Sequence, residues 1–197
     1  MKYLLYIILF AFISLETIAQ ITPQQMVSKM GRGINLGNVM SAPEEGDWAP
    51  EFQETYFQDV ADAGFTTVRI PIRFDTQTTP LSSVTYTDGN GDYIGSPSDY
   101  NVNTSYLDRI ELITGWAISK DMVAIIDVHG DHWYWESYDS GSDYYKTGND
   151  RLAAEDRFRA IWIAISNRFQ NKSEDLLFEI MNEAYFSMSA SEVDIVN

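Results

Sequence analysis

Cysteine is absent from all 197 residues, and histidine occurs only twice. The first absence removes cysteine nucleophiles, zinc–thiolate centres and disulfides, so the fold must rest on packing. Two histidines also argue against a histidine-rich metal centre. Positive charge is scarce: 13 Lys and Arg stand against 29 Asp and Glu, a net charge of −16. Such a surface repels nucleic acid, whose binding depends on cationic contacts to phosphate. No strand is followed by a G-x-G-x-x-G fingerprint, because "GRGINLGN" lacks that spacing, and a nucleotide-binding sheet loses its best support. Neither a cofactor nor a metal is expected. Asp88, Asn90 and Asp92 have the first three ligand spacings of a calcium loop. Tyr93 stands where that loop needs glycine and Asp99 where it needs glutamate, so "TYTDGNGDYIG" is expected to form a hairpin turn instead.

Apolar residues are plentiful, 45% of the chain, which is enough for a real core and argues against disorder. The first segment, "MKYLLYIILFAFISLETIAQ", has a basic start at Lys2, an apolar run from Tyr3 to Leu15 and a small-residue site at Thr17-Ile18-Ala19. It is expected to be a signal peptide over residues 1–19, with a retained anchor as the alternative. One domain, residues 20–197, would then be secreted, periplasmic or cell-surface, with no membrane contact after cleavage.

Periodicity sets strands against helices along the rest of the chain. A small helix at Thr22–Lys29 leads to a strand in "GRGINLGN". A helix begins near Pro50 and stops at Gly64, followed by the β-branched strand "FTTVRIPI", 65–72. After a long loop, 73–103, a helix capped by Thr104 or Ser105 precedes "MVAIIDVHG", an apolar run of the kind buried on both faces of a parallel sheet. Residues 131–149 have no period and read as loop. "DRLAAEDRFRAIWIAISNRFQN" is a helix, "DLLFEIMNE" the fourth strand, and Ser189 with Glu192 sits at capping-box spacing for a further helix. This alternation predicts an α/β fold with a parallel sheet, either doubly wound or part of a (β/α)8 barrel.

In such folds chemistry lies beyond the carboxyl ends of the strands. Here those ends carry Asn35 to Asn38, Arg69, Asp127 with His129, and Asn182-Glu183. An amide, a guanidinium, an imidazole and a carboxylate converging on one rim make a site. Alternation places Asp127 and His129 on one face of their strand, opposite the aliphatic Ala124, Ile126 and Val128. It also places Glu179 below Glu183, as a structural carboxylate, and turns Asn182 the other way unless the strand bulges or ends.

The linked set "GINLGN", "VRIP", "IIDVHGDHW" and "FEIMNEA" resembles the cellulases of glycoside hydrolase family 5, retaining enzymes built on a (β/α)8 TIM barrel. The likeness runs from residue 31 to about 186 and implies that this chain supplies roughly the first four β/α units. It implies Glu183 as general acid/base, Asn182 as the amide that bonds the sugar 2-hydroxyl, and Arg69 as the arginine that positions the nucleophilic carboxylate. His129 matches the first histidine of a pair whose second position is here Gly130, and Ala184 replaces a proline that usually follows the catalytic glutamate. Exposed rings among Trp133, Tyr134, Trp135 and Tyr138 of "DHWYWESY" would suit stacking on sugar rings, though one or two could simply pin the loop to the barrel. At least one of Trp133 and Trp135 is expected to line the cleft.

Retaining glycosidases need a second carboxylate about 5–5.5 Å from the proton donor. In the resembled family it comes from the seventh strand, together with a His-x-Tyr pair and a tryptophan. A full barrel takes about 250 residues, so the sequence resembles an amino-terminal half and is expected to be inactive alone. The expected whole is a monomeric endo-β-1,4-glucanase-type hydrolase acting on β-linked polysaccharide. The alternatives are a mannanase or xyloglucanase on the same scaffold, or a non-catalytic carbohydrate-binding protein.

Overall fold

A computed structural model describes residues 21–81, 86–130 and 132–183. The leader, Ala184 and the expected helix at Ser189 lie outside the described residues.

Helix α1 (Pro23–Met30) starts on a capping box: Thr22 accepts from the Gln25 N–H, and the Gln25 side chain accepts from the Thr22 N–H. It lies under the amino-terminal ends of the strands, where Met30 O accepts from the hydroxyls of Thr66 and Thr67 and Lys29 pairs with Asp175. Next come β1 (Gly33–Asn35), α2 (Glu54–Asp62) and β2 (Thr67–Arg73). Helix α2 begins four residues after Pro50, because Gln53 is extended and Phe52 drops into the core against Phe57, ring centroids 5.5 Å apart.

The 73–103 segment is not all loop. It forms the antiparallel pair β3 (Thr78–Pro80) and β4 (Tyr100–Val102), with a Thr87–Tyr93 bridge closing the Asp88–Asp92 turn as a hairpin. Helix α3 (Thr104–Ile118) is capped by Asn103, whose Oδ1 accepts from the N–H groups of Ser105 and Tyr106. The cap is thus one residue earlier than expected; an amide oxygen reaches both orphan N–H groups from there. Strand β5 (Val123–His129) follows, then a short helix α4 (His132–Trp135) and a 3-10 turn at Glu136–Tyr138, within the segment expected to be irregular. Helix α5 (Gly148–Phe169) leads to β6 (Leu176–Glu179).

Sheet order decides between the two architectures left open by the sequence. The four long-range strands pair in the order β1-β2-β5-β6, all parallel, with no reversal. A doubly wound sheet would reverse order at a switch point and carry helices on both faces. Here Val68, Ile70 and Ile72 of β2 and Ala124, Ile126 and Val128 of β5 meet the helices through Phe57, Ile110, Ile113, Ile161 and Ile165. The opposite face holds Thr67, Arg69, Pro71, Ile125 and Asp127, by strict alternation. Helices on one face and strands in chain order are the winding of a barrel, of which the described residues hold four strands and the three helices that connect them.

Candidate active site

Arg69 is the hub of the inward face. Register sets Asn35 beside it on β1, Asp127 opposite Pro71 on β5, and Glu179 opposite Asp127 on β6. Arg69 Nε donates to Glu179 Oε2 and Nη2 to Glu179 Oε1, each at 2.7 Å, a two-pronged fork. Its Nη1 donates to Asn35 Oδ1 at 2.9 Å, and Nη2 also faces Asn182 Oδ1 at 3.0 Å and Asp127 Oδ2 at 3.1 Å. A guanidinium has five N–H bonds. Nε and Nη2 are fully subscribed, and one Nη1 hydrogen is left for a further acceptor. The Glu179 hydrogen bonds, opposed by partial burial, and the charges of Asp127, Glu179 and Glu183 hold the Arg69 pKa above its already high ordinary value.

Glu179 is therefore the structural carboxylate expected from its depth, and its partner is Arg69. Asn182 shares its face, which strict alternation forbids. An unbroken parallel ladder would put the Met181 N–H on Val128 O. Instead the Asn182 N–H donates there, at 3.1 Å. One extra residue is thus accommodated beyond the end of β6, a bulge that turns Asn182 back toward Arg69. Glu183 follows in the left-handed region, φ +47°, with its carboxylate exposed.

His129 stands at the carboxyl end of β5, its Nδ1 3.0 Å from Asp127 Oδ2. Across from it in register is Arg73, clamped on Asp75 by two hydrogen bonds of 2.6 and 2.8 Å. Arg73 is not among the residues expected at the site, although alternation from Arg69 puts it on the same inward face. Gly130, φ +68°, lies where an added Cβ would come 3.4 Å from the Arg73 side chain. Arg73 thus occupies the neighbourhood of the position that a second histidine would fill.

The exposure that would suit stacking is corrected for most of these rings. Trp133 is 8% exposed, with the Arg157 guanidinium 4.5 Å over its ring; Tyr134 stacks on Phe158 at 4.1 Å; Tyr138 donates to Glu155 at 2.7 Å. Burial is the reason: α4 turns these rings under the chain and against α5, while Trp135 is half-buried beside the same core. Trp133 lines a cleft of about 480 Å³ with Tyr100, Tyr144, Lys146 and Arg157. Tyr144 is the exposed ring there, edge-on to His132 at 4.6 Å. Among the described residues no cluster of three His, Asp or Glu side chains is arranged to hold a metal ion.

Fold and rim together define a (β/α)8-barrel protein with a carboxylate–arginine–histidine site at the carboxyl ends of its strands. The model of the cellulase family, glycosyl hydrolase family 5, matches residues 27–197, and the chain belongs to that family. Endoglucanase H of Acetivibrio thermocellus is 38% identical over 177 residues, covering 90% of this chain and 16% of that protein. Endoglucanase A of Paenibacillus barcinonensis is 30% identical over 171 residues, covering 84% of this chain and 38% of its own length. Among solved structures, a family 5 (subfamily 4) endo-β-1,4-glucanase of Bacillus licheniformis complexed with cellotetraose aligns with a TM-score of 0.68 and 34% identity. It covers 90% of this chain and 30% of its own. Cel5A of Thermotoga maritima, in complex with cellobiose, aligns with a TM-score of 0.66 and 25% identity over 89% of this chain and 49% of its own. The chain thus spans less than half the length of each of these relatives.

Proposed function

We propose that the full-length protein is a retaining endo-β-1,4-glucanase with Glu183 as its general acid/base. The observation that carries this reading is the end of β6. An exposed carboxylate stands there beside an inward-turned amide, on a rim whose other carboxylates are already engaged by Arg69 and His129. In the first step a protonated Glu183 gives its proton to the glycosidic oxygen as the bond from C1 to that oxygen breaks and a carboxylate attacks C1. In the second, the Glu183 carboxylate takes a proton from the water that attacks C1, and the glycosyl–enzyme bond breaks. Asp127 is buried and Glu179 has both oxygens engaged in the fork to Arg69, so neither is free to attack C1, and that carboxylate comes from elsewhere in the barrel. Arg69 has one Nη1 hydrogen with which to hold it. Asn182 is placed to bond a sugar hydroxyl next to the reacting carbon, and His129 supports the same ring.

The endoglucanases among the relatives, and the cellotetraose and cellobiose in their solved structures, support β-1,4-linked glucan as the substrate. Tyr144 and the half-buried Trp135 are the aromatic candidates for contact with the chain, ahead of Trp133. Residues 1–19 are the export signal, residues 20–197 are catalytic-domain sequence, and the mature enzyme is secreted, periplasmic or cell-surface, and monomeric. The test is the stereochemistry of hydrolysis by the full-length protein. Proton NMR of the first product from a soluble β-glucan should show the β-anomer before mutarotation. Initial release of the α-anomer would exclude a double displacement, and no cleavage of β-glucan would reject the reading.

A further inference from the structure

We propose that Asp127 is a positioning residue, which fixes His129 with its proton on Nδ1 and Nε2 as the hydrogen-bond acceptor offered to substrate. This deepens the reading above and rests on it. Asp127 is 1% exposed, so it cannot itself reach a sugar. A single oxygen, Oδ2, forms an ion pair with Arg69 Nη2 at 3.1 Å and a hydrogen bond with His129 Nδ1 at 3.0 Å. Its other oxygen, Oδ1, is buried without a hydrogen-bond partner among the described residues.

Three features separate this carboxylate from one that merely balances charge. Glu179 already meets Arg69 with both oxygens, so the guanidinium has a full counter-ion without Asp127. An unsatisfied buried oxygen is unfavourable, and the same face of β5 one layer down is served by an apolar side chain, Ile125. And the shared oxygen links two site residues from different strands, so that the guanidinium anchors the acceptor of the imidazole. Paired with the Arg69 cation, Asp127 is an ionised carboxylate whose Oδ2 can only accept, so the ring nitrogen facing it must bring the hydrogen. Neutral His129 then carries its lone pair on Nε2, which suits a donating sugar hydroxyl. The opposite tautomer would present an N–H there and lose that bond.

The experiment uses the full-length protein labelled with 15N-histidine. The His129 signals are assigned by their loss in His129→Gln. Wild type should show the Nδ1–H tautomer at a pH where the ring is neutral. In Asp127→Asn the carboxamide N–H can donate into Nδ1, so the proton should move to Nε2, and kcat/KM on a soluble β-glucan should fall about 10- to 100-fold. An Nε2–H tautomer in wild type overturns the proposal, and it does so even if the variant fails to fold. Activity lost without a change of tautomer also overturns it, since that outcome marks a structural role only. A variant that keeps both tautomer and kcat/KM does the same. Failure of the underlying functional reading is distinguishable: it would appear as full activity in Glu183→Gln, whatever the state of His129.

Discussion

Arg69 shows how much of a site is decided by counting donors. Four side chains from three other strand ends compete for its five N–H groups, and the fork to Glu179 takes the best geometry. Removing one prong should be felt in stability before chemistry. Glu179→Gln keeps the shape but loses the charge, and urea denaturation should show a loss of about 1–3 kcal/mol. That is less than the about 3–5 kcal/mol of a fully buried broken pair, because the Glu179 side chain is 38% exposed. The residues at the strand ends were legible in the sequence, since alternation alone turns Arg69, Asp127 and His129 inward. The turning of Asn182 was not. An inserted residue leaves no mark in composition, and counting by twos from Glu179 sends Asn182 outward. Only the hydrogen bond from its N–H to Val128 O, one position out of step, explains how an amide and a guanidinium meet there.

Elements were easier to find than their ends. Helix α3 was plain from its apolar period, but its cap was displaced to Asn103, which also donates from Nδ2 to Gln77 Oε1. Asn103→Ala should therefore cost about 1 kcal/mol or more, read as a lower denaturation midpoint, with kcat/KM at low temperature unchanged. The α4 region was the least legible. Aromatic and polar residues without a period look the same in a loop whether they face water or fold inward, and only packing against Phe158 and Arg157 chose burial. Trp133→Ala should consequently behave as a core substitution and lower stability by about 3–5 kcal/mol. If thermal melts of that variant match wild type while substrate affinity falls, Trp133 is a binding ring after all.

For the whole molecule, the decisive feature is that chain order and sheet order agree. Alternating β and α segments are compatible with two windings; the sequence distinguishes them weakly because helix-facing strand residues are aliphatic in both. What differs is the second face, which in a barrel is an interior able to hold Arg69 and Asp127 near the rim. The aliphatic side carries the stability. Ile126, fully buried between β5 and the helices, should cost about 2–5 kcal/mol when cut to alanine, with the inner-face hydrogen bonds retained. A non-catalytic binding module accounts poorly for this arrangement, since it has no need of a carboxylate at the end of β6. The central claim is that Glu183 transfers the proton, and azide rescue tests it most directly. In the full-length protein, Glu183→Ala should lower hydrolysis of β-glucan by about 10²- to 10⁴-fold. An aryl cellobioside with an acidic leaving group needs no protonation, so its glycosyl–enzyme should still form, and added azide should speed turnover and yield the β-glycosyl azide. Unchanged β-glucan hydrolysis in Glu183→Ala, or a loss that azide neither relieves nor diverts into that product, would contradict the account.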